Sequence, residues 1–369
     1  MISIYARMGI ALAAALLICV AAMPVVRAFA HKIGAIDVPR DETRMHNYPI
    51  PRLGGLAIFL GFLLSVVLFA DVDTQVRGIL IGSVVIVISG AVDDVLTLKW
   101  YVKLIFQIAA ALIAVGHGLI VYTVSNPNVF SASEFLSFGG LAVPITMLWI
   151  IGITNAVNLI DGLDGLAAGV SGISSVTMLI IALLVSEVNV AVIMAALAGG
   201  CLGFLPYNFN SKKGVKMIMG DTGALMLGYV LSTVSIMGLF KFFAIISFAV
   251  PFLVIGLPLF DTGLAFTRRI LKGQHPMHRD RGHFHHRLVD MGLSQKQAVA
   301  VLYVISAVLG LAAVVITTSG EARAIMIVVA LVVAVAIGLY ILGARRGADS
   351  KNTDSTNSDS TNDGGGDAP

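Results

Sequence analysis

Asn155-Ala-Val-Asn-Leu-Ile-Asp-Gly-Leu-Asp-Gly165 sets two amides, two carboxylates and two glycines between two apolar segments. A carboxylate in lipid is costly unless it is paired, hydrated or bound to a cation. A helix pair that ends in such a cluster is presenting polar groups to something. The surrounding chain is 57% hydrophobic and only 12% charged, with a mean hydropathy of +0.93. Soluble domains carry about 25% charged residues, so the composition excludes them and predicts an integral membrane protein.

About 20 apolar residues cross a bilayer. On that rule eleven helices are expected, over 8–26, 54–70, 78–96, 104–121, 139–157, 165–185, 190–208, 222–239, 243–263, 297–317 and 322–343. The sixth and seventh are so close that a count of ten stays open. The predicted fold is thus an all-α polytopic membrane protein. The first stretch is too long for a signal-peptide core and only Arg7 precedes it, so it reads as a retained helix. A membrane domain is expected over 1–347. The polar tail, 348–369, has nothing to bury and is expected to be disordered.

Placing the N-terminus outside puts 20 of the 24 Lys and Arg residues inside, on the loops around Arg27–Arg52, Lys99–Lys103, Lys212–Lys216, Arg268–Lys296 and the tail. Only Arg7, Arg77, Lys241 and Arg323 are then outside. Positive charge collects on cytoplasmic loops, so the N-terminus is expected outside and the C-terminus in the cytoplasm. Cys19 and Cys201 both fall in apolar segments, which leaves no disulfide framework.

With that orientation, Asp93, Asp94, Asp161, Asp164, Asp221 and Asp261 share the cytoplasmic face. Asp221 and Asp164 each have a plain reading as helix N-caps. Asp93 and Asp94 do not, because they close a helix at the end whose dipole disfavours negative charge. They need a cation: Lys99, Lys103 or Mg²⁺. Asp93, Asp94, Asn158, Asp161 and Asp221 offer only oxygen, the donor set of a hard divalent ion. Zinc is disfavoured by the absence of nearby Cys and of a helical His-x₃-His. Two loops carry cations. Asp41–Gly55 is broken by prolines into an ordered loop. His275–Arg287 packs five His and three Arg into 13 residues, and Arg287 suits bidentate contact with phosphate. These residue types together describe metal-assisted phosphotransfer with a substrate held in lipid.

Five motifs carry a resemblance. They are Arg44-x-His46 with Pro49-x-Pro-Arg-x-Gly-Gly55; Asp93-Asp94 followed by Lys103; Asn155-x-x-Asn-x-x-Asp-Gly-x-Asp-Gly165; Met219-Gly-Asp-Thr-Gly223; and Asp280-Arg-x-His-x-His-His-Arg-Leu288. In this order the chain resembles the polyprenyl-phosphate N-acetylglucosamine-1-phosphate transferases, the WecA/TagO-like branch of the MraY superfamily. The resemblance implies transfer of GlcNAc-1-phosphate from UDP-GlcNAc to undecaprenyl or another polyprenyl phosphate, with UMP leaving. This would be the first lipid-linked step of a cell-envelope glycopolymer.

It further implies Mg²⁺, or Mn²⁺, on Asp221 with Asn158 close by. Asp93 and Asp94 would orient or deprotonate the lipid phosphate, with Asp161 also catalytic. Substrate contacts would come from Lys103, Asn155, Asp164, Arg44, His46, His283, His285, His286 and Arg287. The implied partners are the UDP-sugar, the polyprenyl phosphate and membrane lipid; a homodimer stays open and nucleic acid is not expected. Ile218 departs from the pattern, since members often have an aromatic residue there, suited to stack on uracil. The muramoyl-pentapeptide branch is the alternative within the same chemistry, but it usually carries three consecutive histidines where this chain has His283-Phe-His-His286. A transporter is disfavoured by the lack of an internal repeat and of charged residues in the cores of several helices.

Overall fold

The computed structural model describes residues 3–38, 48–125, 135–210, 212, 214–238, 249–271 and 283–318. All of them lie within one unit, Met1–Gly320. The eleventh expected helix and the polar tail lie outside the described residues.

The chain opens with α1 (Ile4–Ile33), capped by the Ser3 side chain at one end and by left-handed Gly34 at the other. A two-residue ladder follows, β1 (Ile36–Asp37) against β2 (Ile50–Pro51). Next come α2 (Gly54–Phe69), α3 (Thr74–Leu96) and α4 (Trp100–Gly116). A small antiparallel hairpin, β3 (Thr123–Ser125) with β4 (Phe135–Ser137), leads into α5 (Ala142–Ile160). Then α6 (Leu166–Leu184), α7 (Val188–Asn208) and α8 (Gly220–Gly238) form the middle of the bundle. It continues with α9 (Ala249–Val254), α10 (Gly256–Leu271), the short α11 (Phe284–Asp290) and α12 (Gln295–Thr318).

Among the described residues, α1, α3, α5 with its leading turn, α6, α7 and α12 are long and apolar enough to cross a membrane. The chain is therefore a multi-pass helical membrane protein. The sixth and seventh expected helices are separate, turned apart at Ser186, whose φ is +62°. One expectation needs correcting. Of the helix expected over 243–263, residues 243–248 lie outside the described residues, and the described part forms two helices, α9 and α10, parted at Ile255, with α10 running on to Leu271. Pro258 is the physical reason: with no N–H it cannot continue the ladder, and it is tolerated in the first turn of a new helix.

The bundle is built around α8, in which every residue from Thr222 to Gly238 is buried. Small residues let neighbouring backbones approach it, as is usual where lipid supplies no hydrophobic drive between helices. A Cβ on Gly55 would overlap Gly223, and one on Gly90 would meet the Thr222 backbone at 2.5 Å. A Cβ on Gly82 would overlap the Tyr229 hydroxyl, which donates instead to the carbonyls of Gly78 and Ala110 at 3.3 Å. Far along the same bundle, Arg7 pairs with Asp71 at 2.8 Å. Asn189 exchanges hydrogen bonds with the Asp71 backbone there, tying α7 to the α2–α3 turn.

Candidate active site

The N-terminus of α8 is set by three pieces of chain. Pro51 accepts a hydrogen bond from the Ile218 N–H at 3.0 Å; Gly54 and Gly55 donate to the carbonyls of Ile218 and Met219 at 2.9 Å. The Pro-x-Pro-Arg-x-Gly-Gly motif is thus a brace for Ile218 and Met219, and its two glycines permit the contact. Leu53 takes a left-handed φ of +77° to make the turn. Gly220, at φ +73°, turns the chain into the helix, and any side chain there would overlap the Asp94 carboxylate.

Asp94 then caps α8 from another helix. Its Oδ1 accepts from the Asp221 N–H at 3.0 Å, and its Oδ2 from the Thr222 N–H at 3.1 Å and the Thr222 hydroxyl at 2.6 Å. The expected cap on α8 was Asp221 itself; it lies within the first turn instead. A carboxylate at the unfavourable end of the α3 dipole therefore stands at the favourable end of the α8 dipole. Asp93 turns the other way. Its Oδ1 accepts from the Leu98 N–H at 2.6 Å, and its Oδ2 pairs with Lys103 at 2.6 Å. The Lys103 ammonium also pairs with Asp221 Oδ2 at 2.6 Å. Lys99 lies instead over the Tyr101 ring.

The turn between α5 and α6 faces this helix end. Gly165 takes φ +80°, a conformation that strains any side chain, and packs against the Phe209 ring. Its N–H donates to Asn208 Oδ1, its carbonyl accepts from the Tyr303 hydroxyl at 2.6 Å, and Asn208 Nδ2 donates to the Met217 carbonyl at 2.8 Å. Asn208 thereby locks the Asp-Gly-x-Asp-Gly turn to the brace before α8. Asp164 does not cap α6; it pairs with Lys216.

A cavity of about 380 Å³ opens between these pieces, lined by Asp94, Asn158, Asp161, Asp164 and Asp221 together with Arg52, Lys216, His286 and Gln295. Ile218 and Leu163 supply apolar wall. Arg52 is held by buried Asp37 at 2.7 Å. Loss of solvent, then the charges of Asp221, Asp94 and Asp164, push the Asp161 carboxyl up to about 8. That is an acid held among other acids, the situation a divalent cation relieves. Among the described residues no three His, Cys, Asp or Glu side chains are already drawn together as a ligand set. The donor chemistry nonetheless fits a hard cation, because carboxylate and amide oxygens converge on one cavity.

The remaining expected residues divide. Asn155 exchanges amide hydrogen bonds with Gln107 at 2.7 and 3.2 Å, which joins α4 to α5. Of the histidines, His286 reaches the cavity wall. His283 and His285 are buried behind it, where His283 Nδ1 donates to Asp261 Oδ2 at 2.9 Å. Asp261 Oδ1 also accepts from the Phe284 N–H at 2.8 Å, so it fixes the start of α11. His285 packs onto Gly162, where a side chain would overlap its ring. Burial, then the neighbouring His286, lowers His285 to about 4. Arg287 lines a second cavity of about 410 Å³ with Asp261, Thr267 and Arg268. Arg44 and His46 lie outside the described residues. Sequence reasoning missed Asn208, Asp37 and Gln107 as organising groups. Asn208 had a usable signal, an amide closing an apolar helix, the same signal that singled out Asn155.

Residues 76–239 match glycosyl transferase family 4. The chain is 37% identical to the probable undecaprenyl-phosphate N-acetylglucosaminyl 1-phosphate transferase of Bacillus subtilis, across 85% of this chain and 86% of that one. The chain belongs to this family. Another of its relatives, the decaprenyl-phosphate N-acetylglucosaminephosphotransferase of Mycolicibacterium smegmatis, is 32% identical over 88% of this chain and 86% of its own. The phospho-N-acetylmuramoyl-pentapeptide-transferase of Staphylococcus aureus strain MSSA476 is more distant, 28% identical over 53% of this chain and 64% of its own. The glycosyl transferase family 4 match covers Asp93 to Asp221, and with them every carboxylate that lines the cavity apart from Asp37.

Proposed function

We propose that the protein transfers N-acetylglucosamine-1-phosphate from UDP-GlcNAc to a polyprenyl phosphate in the plasma membrane, with the cavity open to the cytoplasm. The observation that carries this reading is one cavity in which oxygen donors of α3, α5 and α8 face Arg52, Lys216 and His286. Such a cavity can hold a pyrophosphate between cations on both sides. A lipid-phosphate oxygen attacks the sugar-bearing phosphorus, the new P–O bond forms as the bond to UMP breaks, and UMP leaves.

Mg²⁺ on Asp221, Asn158 and Asp161 would supply charge neutralisation on the transferring phosphoryl group. The chain's own residues do the positioning. Asp94 holds the first turn of α8, and so Asp221, in place. Asp93 holds Lys103, whose ammonium balances the acids. Lys216 and Arg52, each kept by one carboxylate, retain donors for the pyrophosphate. Asp164, in the turn at Gly162–Gly165, and Ile218 line the same cavity, and apolar contact with Ile218 replaces aromatic stacking on the base. The envelope step and the eleven-helix topology with its N-terminus outside belong to the same reading.

Purified protein in detergent with Mg²⁺, UDP-GlcNAc and polyprenyl phosphate is expected to release UMP and yield a lipid of the mass of polyprenyl-pyrophosphoryl-GlcNAc. Product only from the muramoyl-pentapeptide donor would move the chain to that branch. Accumulation of labelled UDP-GlcNAc in proteoliposomes without acceptor would favour transport.

A further inference from the structure

Lys103 lies between two carboxylates from different helices, 2.6 Å from Asp93 Oδ2 in the last turn of α3 and 2.6 Å from Asp221 Oδ2 in the first turn of α8. The two helices approach closely at Gly90, one turn before Asp93, and Thr222, next to Asp221, so two uncompensated charges there would repel beside a contact with no room to relax. An ammonium is a compact, strongly hydrated point charge, the nearest thing a side chain offers to a hard metal ion. It occupies Asp221 Oδ2, an oxygen that a metal on Asp221 would also seek.

We propose that Lys103 is a resident cation of this site, which holds the negative charges together before loading and gives up Asp221 when a divalent cation binds. This rests on the reading of Asp221 as a metal ligand. Asp93 is the reason the exchange is feasible. It keeps hold of the ammonium after Asp221 is released, so Lys103 stays at the site with one donor freed toward the cavity. Lys103 is thus a positioning residue whose charge sets how tightly the metal is held.

The test is Mn²⁺ binding to the full chain in detergent, followed by the paramagnetic signal of free Mn²⁺. K103M is expected to bind Mn²⁺ roughly tenfold tighter than the unmodified protein, since a competing charge has gone. K103R, which keeps the charge, is expected to stay near the unmodified value. Mn²⁺ should also raise the unfolding temperature of K103M by more than it raises that of the unmodified protein. Should K103M not fold, K103Q, which retains a polar contact for Asp93, carries the same expectation. Equal or weaker binding in K103M and K103Q overturns the exchange while leaving the metal reading intact. Undiminished binding in D221N overturns it too, because the contested oxygen is then the wrong one. No Mn²⁺ binding by the unmodified protein removes the metal reading and the exchange with it.

Discussion

Asp221 and Asp94 are joined through two backbone amides, yet their side chains have opposite tasks. Asp94 spends both oxygens on the end of α8, whereas Asp221 keeps one toward Lys103 and faces the cavity. Asp221→Asn preserves shape and removes the charge. It is expected to lower UMP release roughly 10²–10³-fold, with the unfolding temperature and elution volume little changed. His285 offers a prediction about pH. It is lowered to about 4 in the folded protein by burial and by His286, against an unfolded value near 6.5. Between those values the unfolded chain binds a proton that the folded one refuses, so stability falls as pH drops from about 6.5 to about 4. In His285→Leu that loss is expected to shrink, read as a smaller fall in unfolding temperature between the two pH values. Asp261, His283 and His286 surround the ring and remain in the variant.

At the scale of elements, the first turn of α8 is held by a cap from α3, a brace from the β2–α2 turn and a glycine contact on each side. Removing the cap in Asp94→Ala is expected to cost about 0.5–2 kcal/mol. Gly90→Val drives a side chain into the Thr222 backbone and is expected to cost about 1–3 kcal/mol. Both are read as lower unfolding temperatures in detergent. The two should differ in one respect: Asp94→Ala leaves the α3–α8 contact in place and lets the Asp221 turn shift. Its UMP release should therefore fall by more than its stability loss alone explains.

For the whole molecule the charge distribution makes a topological prediction. Cysteines placed at exposed Arg77 and exposed Lys212 fall on opposite sides of the membrane in the proposed orientation. Cys19 and Cys201 are buried and need not be removed. A membrane-impermeant maleimide is expected to label Arg77→Cys in intact cells and Lys212→Cys only after permeabilisation. The reverse pattern would invert the topology and put the cavity outside the cell.

Much was legible in the residues as written, because lipid is an unforgiving solvent. Long apolar runs declared the helices of a membrane bundle, and polar residues interrupting them, Asp93-Asp94, Asn158, Asp161, Asp164 and Asp221, marked the site, since such groups are rarely tolerated there without a partner. What the residues could not declare was which partner each had chosen. Asp94 and Asp221 are 127 positions apart, and nothing local says that one caps the helix on which the other rides. Nor does local pattern separate His286, at the cavity, from His285, packed behind it on Gly162 one residue away. Periodicity and composition act over a few turns of one segment. Cap, counter-ion and cavity wall are relations between segments, and only the packed helices, brought together at their glycines, decided them.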